Sequence, residues 1–401
     1  MRLRLYRQDI NFVQPKALQT GKVMKRFVMI GGGHAHLSVL EKFARQPVVG
    51  VERILITPNR YQNYSGMLPG WISGHYTREQ SRIDLQPLVQ AAGVKMINVS
   101  LINMDADQKR LFLSDGSSLT YDLLSMDVGS ETQTDGLEGL GERLLPVKPL
   151  DDFFEKWPPI RKRALASKAF SLVVVGGGAA GVELALAAQY ALRLEGASSS
   201  VTLIVSPDGL LRGHHTSVRR RVRHYLEQAG LILVEQAARG VSDGLLLSDG
   251  RYIPADQVIA ATGAKPLPWL RTSGLALDEQ GYILVDAHHR TQSHPEVFAA
   301  GDTCARMDVQ MARSGVHAVK AGPVLAENVY AVLTDFPGTT ERLKAYHPRA
   351  SSLYLLACGP RYAIASWGRW SFQGKWVWYL KNWIDRGFIR RFSLSTGAHS
   401  A

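Results

Sequence analysis

The chain has 401 residues, of which 45% are hydrophobic and 20% charged, enough to bury a large core in two or three domains. A formal net charge of +12 favours an anionic partner, which can be nucleic acid, a lipid surface or phosphorylated cofactors, and no nucleic-acid module is visible in the sequence. The two cysteines, Cys304 and Cys358, lack metal-ligand or CxxC spacing, which argues against a dithiol centre or a metal site and fits a reducing cytoplasm.

Residues 1–23 contain Arg2, Arg4, Arg7, Lys16 and Lys22 without the apolar core of a signal peptide, and are expected to form a loose tail. Phe27 to Ile30 reads as a strand that runs into Gly31-Gly32-Gly33-His34-Ala35-His36 and then a helix, the device that delivers a pyrophosphate to a helix N-terminus. His36 stands where this pattern has its third glycine. The second strand, Arg53 to Ile56, ends at Thr57 rather than at the acid that usually takes the ribose hydroxyls. Tyr64-Ser65-Gly66-Met67-Leu68-Pro69-Gly70 follows, either a surface loop or an apolar edge for a flat aromatic ring. Asp115-Gly116, Asp122 and a strand ending near Gly129 come next.

Gly, Pro and charge mark 130–170 as a link. Val173-Val174-Val175 then enters Gly176-x-Gly178-x-x-Gly181 and a helix with Glu183 in it, a complete copy of the glycine turn. Asp249-Gly250, Asp256 and Gly263 repeat the earlier spacings, so the chain holds two dinucleotide-binding units and should take two dinucleotides. The second unit's second strand ends at Ser206, again without an acid, which leaves NADPH open alongside NADH. Arg212, His214, His215 and Arg219 to Arg221 can hold a 2′-phosphate or form a solvated helix face.

Val297 to Ala300 leads into Gly301-Asp302 and a helical stretch from Ser314 to Val332. A carboxylate at that strand end can accept from a polyol such as the ribityl chain of a flavin, or can cap the helix. Five of eight tryptophans fall in the last 60 residues among basic side chains. Trp376, Leu380, Ile384, Phe388 and Phe392 recur at i+4, with Lys381, Asp385 and Arg390 on another face, the pattern of an interfacial helix or of a terminal helix packed on its own domain. No apolar run is long enough to span a bilayer, so any membrane contact is peripheral.

The order of these signals resembles the pyridine nucleotide-disulfide oxidoreductase superfamily over residues 24 to about 392. GGGHAHL at 31–37, YSGMLPGWISGHY at 64–76, SGVHAVKAGPVLAEN at 314–328 and the terminal segment look like the flavin module fused to selenophosphate synthetase in some bacteria, itself similar to type II NADH dehydrogenases. In that group His36 and the missing acid at Thr57 are expected. The resemblance implies an α/β protein with two Rossmann-like domains: tail 1–23, an FAD-binding unit over 24–150 and 271–335, an inserted NAD(P)-binding unit over 151–270, and a C-terminal segment 336–401. FAD would be held by Gly31, Gly33, His36, the loop Ser65, Gly66, Met67, Leu68, then Gly129, Gly301 and Asp302. NAD(P)H would be held by Gly176, Gly178, Gly181, Glu183, Ser206 and Gly263.

The resemblance also implies hydride transfer from NAD(P)H to FAD and onward transfer to an acceptor. A quinone reached at the inner face of a membrane through 375–392 is the first expectation. A soluble role in selenium or sulfur metabolism, with selenophosphate synthetase as a partner, and a redox sensor with little turnover are the rivals. Where the family's glutamines face the quinone, this chain has Val316 and Lys320. Lys320 is the candidate for stabilising a reduced, anionic flavin, or is a surface lysine.

Overall fold

The computed structural model describes residues 24–207, 209–311, 315–334, 343–349 and 352–393; the tail expected over 1–23 lies outside them. Four apolar runs and one short strand build the first sheet, in the order Val297–Ala299, Leu123–Met126, Lys25–Ile30, Val51–Ile56, Lys95–Ile97, all parallel. Strands of a parallel sheet covered on both faces read as continuous hydrophobic runs, and Phe27, Val28, Met29 and Ile30 are all buried here. One face packs on the helices His34–Arg45 and Gly315–Thr334 through Phe27, Leu37, Phe43, Leu325 and Val329. The other packs through Val28 and Ile30 on the antiparallel meander Leu101–Asp105, Arg110–Leu113, Ser118–Thr120.

The second sheet repeats this plan. Its order is Leu144–Pro146, Gln257–Ala260, Phe170–Val175, Ser199–Val205, Ile232–Glu235, again parallel, with the helix Ala179–Leu194 on one face. A second antiparallel meander, Ala238–Val241, Gly244–Leu247, Tyr252–Pro254, covers the other. Even the echoed aspartates do the same work. Asp122 Oδ2 accepts the Arg26 N–H at 2.6 Å and Asp256 Oδ2 accepts the Ser171 N–H at 2.8 Å, each tying the strand it precedes to the start of the strand that enters the glycine turn.

Val297–Ala299 pairs with Leu123–Met126, so the first unit is built from chain on both sides of the second. Two expectations are corrected. Leu144–Pro146 belongs to the second sheet, which therefore begins before the boundary at 151. The link over 130–170 contains a helix, Leu150–Ala166, which keeps going past Pro158 and Pro159 because Phe153, Phe154, Trp157 and Ile160 are buried in the second core.

The C-terminal part is a meander, Tyr354–Ala357, Ala363–Trp367, Trp370–Gly374, followed by the helix Lys375–Phe392. The expected apolar stripe along this helix does not share one environment, since Trp376 is 56% exposed and Phe392 only 1%. Each i+4 step advances about 40° around a helix of 3.6 residues per turn, so sixteen residues carry the row from the outer face to the inner one. Val377, Trp378, Phe388 and Phe392 pack inward, and Lys381 and Asp385, expected on a polar face, are buried with them. Trp376, Tyr379 and Trp383 form the exposed row, beside Trp367, Trp370 and Phe372 of the meander.

Candidate dinucleotide sites

Both glycine turns have backbone geometry that only glycine adopts freely. Gly31 sits at φ +87°, where a Cβ would lie 2.9 Å from Val128 Cα, and its N–H donates to Ile56 O at 2.8 Å. The helix that follows has extended Gly33 as its N-cap and no side chain of its own capping it. A helix N-terminus without its own cap presents N–H groups and a partial positive charge to an anion. The second turn repeats this with Gly176 at φ +135° and Gly178 as N-cap of Ala179–Leu194. Gly181 lies against the Gly176 carbonyl, so a side chain there would separate helix from turn. No described atom stands within 4 Å of a Cβ built on Gly178, Gly263 or Gly129, so all three open onto free space.

His36 packs against the first turn from within the fold. Its Nδ1 is 2.6 Å from Gly31 O and its Nε2 2.8 Å from Ser125 Oγ. The carbonyl requires the proton on Nδ1, and in the neutral ring that burial favours Nε2 then accepts the Ser125 hydroxyl. Burial lowers its pKa to about 4. The residue in place of the third glycine thus braces the turn. His34, the first residue of the helix, packs against the stacked rings of Tyr64 (5.5 Å) and Phe388 (5.7 Å), and its Nε2 has no partner among the described residues. A buried ring nitrogen without a partner fits a site that takes a polar group of a ligand.

The loop from Ser65 to Leu68 is not a surface loop. Met67 and Leu68 are buried, Gly66 O accepts from Lys381 Nζ at 2.7 Å, and the Tyr64 hydroxyl donates to Asp385 at 3.3 Å. Lys381 and Asp385 are paired at 2.9 Å with side chains only 12% and 5% exposed. Burial works against the Lys381 charge, yet Asp385 and Glu183 outweigh it and hold its pKa up. Glu183 accepts the Ala357 N–H at 2.8 Å and is pushed up to about 7, chiefly by burial and against the pull of Lys381. Glu183, in the first turns of Ala179–Leu194, therefore also ties this helix to the C-terminal segment.

Asp302 follows Gly301 (φ +74°) at the end of Val297–Ala299. Its Oδ2 accepts from Lys148 Nζ at 2.5 Å, and the same ammonium donates to Ser130 Oγ at 3.0 Å. Lys148 is the residue that reading the sequence misses: it sits just before Pro149 in what looks like a linker, with no motif around it. Lys320 instead donates to Ser352 Oγ at 3.4 Å, so the cation on Asp302 is Lys148. Thr57 is buried at its strand end, its hydroxyl 3.3 Å from Asn59 O. Ser206 begins a loop folded over the second turn, where the Leu211 N–H donates to Gly177 O at 2.7 Å. A cavity of about 430 Å³ opens beside Gly301 and Asp302, whereas a larger cleft of about 590 Å³, lined by Arg143, Arg163 and Asp256, lies at the amino ends of the second sheet, away from both turns.

Comparison with known proteins agrees with this fold. The profile of the pyridine nucleotide-disulphide oxidoreductase family matches residues 25–322. The NADH dehydrogenase-like protein YutJ of Bacillus subtilis is 25% identical over 294 residues, covering 71% of this chain and 78% of its own. The alternative NAD(P)H-ubiquinone oxidoreductase C1 of Arabidopsis thaliana is 28% identical over 291 residues, 64% of this chain and 55% of that one. Among solved structures, the sulfide:quinone oxidoreductase of Aquifex aeolicus superposes with a TM-score of 0.76 at 17% identity, over 93% of each chain. NDH2 of Plasmodium falciparum, solved in complex with NADH, gives 0.76 at 13% identity, over 94% of this chain and 99% of that one. At such identities the superpositions establish the fold alone.

Proposed function

The chain belongs to the pyridine nucleotide-disulphide oxidoreductase family, and from that premise we propose that it is an FAD-dependent NAD(P)H dehydrogenase that delivers electrons to a quinone at a membrane surface. With both nucleotides bound, a hydride from the nicotinamide reduces the flavin, chemistry that belongs to the cofactors. The protein's part is position and charge. The N-termini of His34–Arg45 and Ala179–Leu194 would each receive a pyrophosphate, and Asp302, held in place by Lys148, would accept from the ribityl hydroxyls. The Ser65–Leu68 loop, fixed from behind by Lys381, forms the apolar edge of the flavin site.

The observation that carries the quinone reading is the two-sided C-terminal helix. Its inner face holds the flavin loop through Lys381 and Asp385, while its outer face presents Trp376, Tyr379 and Trp383. Exposed tryptophans and tyrosines with nearby arginines suit the interface of an anionic bilayer, the phase in which quinones dissolve. No described helix is long and apolar enough to cross a membrane, so the contact is a peripheral one. The paired substitution Trp376→Ser/Trp383→Ser should cut sedimentation with anionic vesicles and turnover of a lipid-soluble quinone about tenfold or more, yet leave reduction of a water-soluble quinone intact. Equal loss with both quinones would count against the membrane route. A soluble selenium or sulfur acceptor rests on motif resemblance, and no contact described above favours it.

A further inference from the structure

The duplicated architecture supplies an internal control on the first pyrophosphate seat. Gly31, Gly33 and Gly129 of the first unit correspond to Gly176, Gly178 and Gly263 of the second, and Asp127 corresponds to Ala261, each two residues before the closing glycine. The match holds in space, since a Cβ on Gly31 would strike the Asp127 carbonyl and a Cβ on Gly176 would strike that of Ala261. At the second glycine of the motif the units diverge. The space beside Gly178 is empty to 4 Å, as close approach of a pyrophosphate demands. The same space beside Gly33 holds the Asp127 carboxyl group. Its Oδ2 accepts the Ala35 N–H at 2.7 Å and the His36 N–H at 3.2 Å, and the side chain also abuts Gly301. At 4% exposure, Asp127 has little water to move into.

We propose that Asp127 is a proton-dependent gate on the FAD seat, such that FAD binds the form in which this carboxyl is protonated and each FAD bound above neutral pH brings one proton with it. The proposal rests on the FAD reading of the first unit. An ionised carboxylate so close to a pyrophosphate adds like charge in a site that water does not screen, whereas the neutral acid can donate its proton to a phosphate oxygen and keep its carbonyl oxygen on the helix. The neighbouring groups push the same way. His34 and His36, on the helix it caps, are both held neutral by burial. Asp302 adds a second negative charge, offset by its pairing with Lys148. On Gly315–Thr334, His317 is shifted down by burial and Lys320 is turned to Ser352. Burial has already raised Asp127 to about 7 without a ligand. Ala261 leaves the second seat without such a group.

Equilibrium binding of FAD to the full chain, followed by flavin fluorescence from about pH 6 to 8.5, tests this with Asp127→Ala, which copies the second unit, and Asp127→Asn, which keeps an acceptor for the helix. The wild-type Kd should be level below about pH 6.5 and rise towards tenfold per pH unit above about 7, the slope of one linked proton. Both variants should be level throughout, and calorimetry in two buffers of different ionisation heat should count proton uptake near pH 8 in the wild type alone. Parallel profiles in all three proteins would overturn the gate and leave Asp127 as a helix cap. Failure of the wild type and both variants to bind FAD at any pH would overturn the FAD reading itself, and the gate with it.

Discussion

At the scale of single residues, the two glycine turns divide their work among side chains that resemble one another little. The space beside Gly178 is open, as the proposed approach of a phosphate to the backbone requires, and a branched side chain there would occupy it. Gly178→Val should therefore raise the Kd for NAD(P)H by about a hundredfold or more, about 3 kcal/mol, while FAD stays bound at full stoichiometry. Titration of flavin absorbance with NADH and NADPH checks this, and loss of both cofactors would contradict the separation of the two seats. Most of the backbone side of these sites is legible in the sequence, because glycine at a positive φ or a close approach has no substitute. Side chains that hold the turns from behind are not. His36 reads only as a departure from the motif, and Lys148 reads as a linker residue until Val297–Ala299 brings Asp302 next to it.

Among the elements, the helix Lys375–Phe392 joins what sequence periodicity keeps apart. Its composition signals an interface, but the direction of its faces depends on which residues find partners. Lys381 is buried because Gly66 O, Asp385 and Glu183 surround it, and none of these lies within reach along the sequence except Asp385 at i+4. Removing one partner of a buried pair leaves a charge without compensation, at a cost of about 3–5 kcal/mol. Lys381→Met should lower the denaturant midpoint accordingly and loosen the flavin, whereas Lys381→Met/Asp385→Leu should recover much of the stability. A single variant as stable as the wild type would mean that the pair is not buried in solution. The helix over 150–166 was hidden from the sequence for a related reason: Pro158 and Pro159 are poor helix formers, and burial of Trp157 and its neighbours outweighs them.

For the whole molecule, duplication is what made the architecture readable: each unit lends the other its pattern, down to the paired roles of Asp122 and Asp256. The balance of buried titrating groups is visible only in three dimensions. His36 and His289 are lowered to about 4, mainly by burial, so the unfolded chain takes up protons first and stability falls as pH drops from about 6.5 to 4. Asp127 and Glu183, raised to about 7 by burial, act in the opposite sense, contributing stability below about 4 that is lost as pH rises to 7. Asp127→Asn removes one of the opposing acids. Its stability relative to the wild type should improve between pH 5 and pH 7.5, by up to about 1.4 kcal/mol per pH unit, as read from denaturant midpoints. A difference independent of pH would refute the assignment.

The central claim, that this fold passes a hydride from NAD(P)H to FAD and then electrons to a quinone, is met most directly by anaerobic stopped-flow absorbance of the purified protein. NADH or NADPH should bleach the flavin within the mixing experiment, and a subsequent push of quinone should restore the oxidised spectrum at a rate compatible with turnover. Flavin that bleaches but stays reduced in the presence of quinone would contradict the proposed acceptor; flavin that never bleaches with either nucleotide would contradict the dehydrogenase itself.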